Sequence, residues 1–266
     1  MTTTGTPERS DRARQAWVGA SFVLGIVGVL VGVGVLGTRV EESPGGDLAA
    51  DATLLAPAQP AFSIWSVIYL GLTAYAVYQA LPAQRSDRRH RRIGWLAGAS
   101  LLLNAAWLLV TQQGWIWVSV VVILCLAGAL VVLVGRLEET PSFGLAEALA
   151  VDGTFGLYLG WVLAASGANV GAALASSDAA PGRWTAVALV LLVALAGGAV
   201  LTRVSGRLAV ACALAWGLAW IAYGRLPGEP ADPVVGGVAA AAAVAVMWVA
   251  WSAQPRVGLD DGSSGA

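Results

Sequence analysis

The chain has 266 residues, 58% of them hydrophobic and 12% charged, with a mean hydropathy of +0.73 and a formal net charge of −1. The charges fall in clumps between long apolar runs, as they do when lipid solvates the helices, and this excludes an ordinary soluble fold. A near-zero net charge also provides no basic field for nucleic acid.

About 20 apolar residues cross a hydrocarbon core of roughly 30 Å. Eight such runs occur in chain order: Ala16–Gly37, Ala61–Leu81, Ile93–Thr111, Trp115–Gly135, Thr154–Leu174, Trp184–Thr202, Leu208–Tyr223 and Pro233–Ser252. They predict an all-α integral membrane protein with eight transmembrane helices. Residues 1–15 form a cytoplasmic tail in this reading, and residues 253–266 a disordered one. The first run is too long for a signal core and lacks a small-residue cleavage site, so it reads as a helix that stays. Its Gly28 and Gly32 have the G-x-x-x-G spacing, with Gly25 close by, and such glycines let a neighbouring backbone approach closely. The next connection carries Glu41, Glu42, Asp47 and Asp51 among Pro and Gly. It is long for a helix connection, and is either a solvated linker or a lid over an external pocket.

The second connection holds Arg85, Arg88, Arg89, Arg91 and Arg92 around the single His90 and reads as a topogenic cytoplasmic loop. With Arg9, Arg12, Arg14, Arg136, Arg203, Arg207 and Arg256 it puts twelve of the fifteen arginines on one face, leaving Arg39, Arg183 and Arg225 opposite. An even number of spans joins both termini to that face, so both are expected in the cytoplasm, with the protein in the plasma membrane. Cys125 and Cys212 lie mid-run and read as small core residues rather than a disulfide. Glu147 and Asp152, five apart ahead of the fifth span, fall on different faces of an α-helix and read as a solvated surface.

Twelve tryptophans are the main side-chain resource. Indole has an apolar body and one N–H donor, so it serves the lipid–water boundary or the wall of a pocket for flat apolar ligands. Trp17, Trp95, Trp115, Trp117, Trp184, Trp248 and Trp251 sit at span ends and read as an aromatic belt; Trp216 and Trp220, one turn apart, face lipid or a neighbour. Trp65 pairs with Tyr69 at i, i+4, with Phe62 one turn earlier. Asn104 and Trp107, three apart, share a face of the third span. Trp161, Ala165 and Asn169 recur at i, i+4 and i+8 along one stripe of the fifth, with Tyr158 beside them. An asparagine amide in a bilayer needs partners, so both amides should point inward. The stripes together form either a slot for a planar, mostly apolar molecule or a packed core in which the amides tie helices together.

Three segments carry a resemblance. Gln59-Pro60-Ala61-Phe62-Ser63-Ile64-Trp65-Ser66-Val67-Ile68-Tyr69, Leu103-Asn104-Ala105-Ala106-Trp107, and Tyr158-Leu159-Gly160-Trp161 with Ala165 and Asn169 stand in that order on spans two, three and five. They resemble the tryptophan-rich sensory protein family (TspO/MBR), which is related to the mitochondrial translocator protein. The resemblance covers roughly residues 16–174 and implies a five-helix membrane region there, with residues 175–252 as three additional transmembrane helices. It departs from the family in its separated Pro57 and Pro60 and in Leu108, Leu109, Val110 and Thr111 where phenylalanines usually follow.

The resemblance implies a multi-pass membrane sensor, receptor or carrier for a planar hydrophobic ligand, tetrapyrrole-like, such as a porphyrin or haem. Phe62, Trp65, Tyr69, Asn104, Trp107, Tyr158, Trp161, Ala165 and Asn169 would bind it. No obligatory cofactor and no metal ligands are expected. The alternative is a facilitator for an uncharged small solute. An ion-coupled transporter is disfavoured, because no Asp, Glu, Arg or His sits at the centre of a span. An enzyme is not expected, since the single histidine lies in an arginine loop and no H-E-x-x-H or paired-carboxylate motif occurs. Membrane lipid and a hydrophobic small molecule are the expected partners, and a homodimer is a candidate assembly.

Overall fold

The computed structural model describes residues 8–32, 46, 48–177, 182–204 and 207–253. All regular structure among them is helical: α1 (Arg9–Gly32), α2 (Ile64–Ala80), α3 (Arg88–Gln112), α4 (Ile116–Leu137), the short α5 (Leu145–Glu147), α6 (Thr154–Ala175), α7 (Arg183–Leu201), α8 (Arg207–Arg225) and α9 (Pro233–Ser252). Eight helical runs are long and apolar enough to cross a membrane, α5 and α6 forming one run over Leu145–Ala175. Each of the eight predicted crossings thus corresponds to one of these helical runs. The first starts earlier than expected, at Arg9, so part of the predicted tail is helix. Residues 33–37 of that span, acidic Glu41, Glu42 and Asp47, and the tail from 254 onward lie outside the described residues.

α6 is the hub, packing against α2, α4, α7 and α8, while α1 lies along α3 and α9 closes against α7 and α8. Small residues make these approaches close. A Cβ on Gly28 would stand 2.7 Å from the Ala105 Cβ of α3. One on Gly160 of α6 would collide with the Val210 carbonyl of α8. In lipid, where burial of apolar surface supplies little drive between helices, such backbone proximity is what holds a bundle together. Trp17 takes part in this packing: its indole lies over Gly98 and donates to the Trp95 carbonyl at 3.1 Å. Cys125 and Cys212 are both exposed rather than core, since a lipid-facing position accepts a small apolar side chain as readily as an interior one.

The arginine segment is not a loop. Asp87 caps α3 by accepting from the Arg89 and His90 amides at 2.8 and 3.0 Å, so Arg88 to Arg92 form the first turn of that helix. Arg91 pairs with Asp11 at 2.7 Å, fixing the start of α1, and Arg92 pairs with Glu139. Arg89, buried, binds Glu147 at 3.1 Å and also Asp152. The two carboxylates expected on different faces thus converge on one cation. The cause is the π-helical turn Ala148–Gly153 between them, whose wider winding brings residues five apart into line. At the opposite end Asp232 caps α9 and accepts from Arg183 at 2.7 Å, which holds its carboxyl below the usual carboxylate range.

Candidate functional site

The 3₁₀ turn Gln59–Ser63, opened by Pro60, leads into α2 and sets Phe62 and Trp65 toward α6. Phe62 meets Trp161 edge-on with ring centres 5.9 Å apart, and Trp65 meets Trp161 and Tyr158 in the same way at 6.2 and 6.0 Å. Trp65 also stacks on Tyr69, 5.1 Å away and 14° from parallel. The five rings form one continuous array. Trp161 is only 1% exposed, and Trp65, half-buried, packs against the same core.

The amides have separate tasks. Trp107 Nε1 donates to Asn169 Oδ1 at 2.9 Å, and Asn169 Nδ2 donates to Ser119 Oγ at 2.9 Å, tying α3, α6 and α4 together. Asn104 Nδ2 donates to the Tyr69 hydroxyl at 3.2 Å, and the Tyr158 hydroxyl donates to the Ser100 carbonyl at 3.2 Å. Two buried polar atoms here have no partner, Trp161 Nε1 and Asn104 Oδ1.

The predicted residues surround two spaces rather than one. Phe62, Trp107, Trp161, Ala165 and Asn169 line the first, with Ala164 and Ala168. Tyr69 and Asn104 line the second, between α1, α2 and α3. Trp65 and Tyr158 stand in the aromatic array between them.

Sequence reasoning missed the rest of the first wall. Gly217 and Ile221 of α8 line it, as do Leu48, Thr53, Ala56 and Pro57 of the connection before α2. Gly217 is needed there because a Cβ would stand 2.5 Å from that of Ala164. Trp216 belongs to this junction, donating to the Ala61 carbonyl at 2.9 Å.

The connection over residues 48–58 is therefore a lid, and its fastening is an arginine from the eighth helix. Arg225, 1% exposed, donates from Nη1 to the Thr53 carbonyl at 2.9 Å and from Nη2 to the Ala50 carbonyl at 3.0 Å. The Ala58 amide donates to the Trp220 carbonyl at 3.2 Å. Leu55, 1% exposed, plugs the lid against α6 at Gly171, where a Cβ would lie 2.7 Å from its Cδ1. Asp51 of the acidic connection is exposed. One signal for this fastening was in the sequence: a lone arginine ending an apolar span on the arginine-poor face.

Under the lid the first cavity measures ≈ 40 Å³, room for about three waters. Pockets that hold drug-sized ligands run about 300–1,000 Å³. The first cavity falls well short of that size.

At the other end of the bundle Asp87, His90 and Glu147 bring ligand atoms within 4.8 Å of one another, with His90 buried beside Tyr75 and Tyr78. Arg89 already occupies Glu147. A cation there would have to displace it.

A family model described as TSPO-like protein matches residues 17–251. Comparison with curated proteins and with solved structures gave no match. The family match runs from α1 into α9, so it takes in the three C-terminal crossings along with the aromatic array. The chain belongs to the TSPO-like family and is a multi-pass membrane protein, with eight helical runs among the described residues long and apolar enough to cross a membrane.

Proposed function

We propose that the protein is a membrane sensor or receptor for a planar hydrophobic ligand of the tetrapyrrole class, which enters the first cavity by displacing the lid. The observation that carries this reading is the array of five rings on α2, the turn before it and α6, beside a cavity closed by a fastened segment. Aromatic faces suit flat apolar ligands, Ala164, Ala165 and Ala168 leave room on the α6 wall, and the unpartnered Trp161 N–H is a donor to offer. The small closed volume supports sensing, since a ligand that fits only when residues 48–58 move reports its presence as a change of shape. Binding rather than chemistry is the role assigned, with no cofactor required. The same reading puts both termini in the cytoplasm at the plasma membrane, supported by the even number of crossings and the arginine asymmetry.

The test is titration of detergent-purified protein with protoporphyrin, followed by intrinsic tryptophan fluorescence. Saturable quenching is expected, weakened in Trp161→Phe and Trp65→Phe. Quenching that never saturates, or that is identical in both variants, refutes the reading.

A further inference from the structure

The second space is a crevice of ≈ 80 Å³ lined by Phe22, Ile26, Tyr69, Leu72, Thr73 and Asn104, among others. Ile26 and Thr73 at its rim are exposed, so in a membrane it opens sideways to the acyl chains. Its polar features are the Tyr69–Asn104 pair and the Thr73 hydroxyl, which is already committed to the Tyr69 carbonyl at 2.7 Å. Asn104 is 3% exposed and its Oδ1 has no partner. The Tyr69 hydroxyl accepts from Asn104 Nδ2 and keeps its own hydrogen. Turning the amide over exchanges the roles, with the tyrosine donating to Oδ1 and Nδ2 left over. Either way the pair has at least one donor and one acceptor to spare. Away from water such groups are costly until met.

We infer that this crevice is a lateral binding site for a single-chain apolar alcohol from the bilayer, its hydroxyl seated on Tyr69 and Asn104. A hydroxyl donates one hydrogen bond and accepts another, which is the complement of what the pair leaves open, whereas an ether or an ester only accepts. The apolar lining from α1 and α2 takes the part of the chain beside the hydroxyl, and the remainder runs out along the acyl chains, because ≈ 80 Å³ cannot enclose a whole chain; a crevice this narrow suits a chain rather than a ring system. The site lies on the far side of Trp65 from the lidded cavity and does not depend on the reading given to that cavity.

The test uses the full chain in lipid nanodiscs and a hexadecanol carrying a diazirine near its hydroxyl. Photolabelling should fall on the peptides holding Phe22–Ile26 and Leu72–Thr73. Unlabelled hexadecanol should compete at about three- to tenfold lower concentration than hexadecyl methyl ether, the range one net hydrogen bond provides. In Asn104→Leu, which removes the Oδ1 acceptor that only the alcohol can use, that ratio should collapse toward one; in Tyr69→Phe both competitors should weaken, since both accept from the tyrosine hydroxyl. Tyr69→Phe keeps the ring and serves alone if the asparagine variant fails to fold. Equal competition by alcohol and ether in the parent protein overturns the inference, as does a ratio unchanged in Asn104→Leu or competition by both compounds unweakened in Tyr69→Phe. Protoporphyrin should not displace the label, so failure of either site is read independently of the other.

Discussion

Replacing Arg225 by methionine tests the lid directly. The side chain donates to two lid carbonyls, of Thr53 at 2.9 Å and Ala50 at 3.0 Å, with a weaker contact to the Glu229 carbonyl at 3.5 Å. Hydrogen bonds from a charged donor contribute about 1.5–3 kcal/mol each. Part of that is offset because the variant no longer buries a cation whose Nε lacks a partner. A net loss of about 2 kcal/mol is the result, or about 30-fold in the lid's opening constant. Leu55 stays seated on α6, so the lid loosens without the bundle coming apart. Hydrogen exchange of the Ala52, Ala56 and Ala58 amides, all hydrogen-bonded within or from the lid, should accelerate by about that factor while the α6 amides stay protected. Protoporphyrin should associate faster to a similar extent. Unchanged exchange over residues 48–58, or equal loss of protection throughout the bundle, refutes the idea that Arg225 fastens a lid.

Two further substitutions test the packing that positions the site. Arg89→Met strands Glu147, 5% exposed, without its cation; breaking a buried pair from one side costs about 3–5 kcal/mol, and the 24% exposure of the Asp152 side chain moves the value to the low end. Thermal unfolding in detergent should show the loss, and adding Glu147→Gln should restore part of it; a variant as stable as the parent contradicts the pairing. Gly28→Leu drives a side chain into Ala105 of α3 and should destabilise by about 1–3 kcal/mol. Gly128→Leu, where a Cβ meets nothing within 4 Å, should be nearly neutral in the same measurement.

Much of the site was legible because helical periodicity is a local property. Trp161, Ala165 and Asn169 share a stripe wherever the helix goes, and the structure does bring Phe62, Trp107 and Trp161 to one cavity. The partners of the amides were not legible. That Asn169 takes Trp107 and Ser119, while Asn104 takes Tyr69, depends on how three helices are rotated against one another. The Glu147–Asp152 pair was misjudged for a definable reason: α-helical spacing puts residues five apart on different faces, and the π turn between them does not.

The sequence by itself determined the eight crossings, their alternation and the aromatic stripes, since these follow from the length of apolar runs and the pitch of the helix. Only the tertiary structure decided that α8 walls the cavity, that Arg225 fastens the lid and that a ring array divides the interior into two spaces. In a bilayer a lipid-facing surface and a helix-facing surface are equally apolar, so hydropathy cannot distinguish them. What distinguishes them is where a backbone can approach a glycine and where an N–H finds its acceptor, and both are settled only when the helices meet.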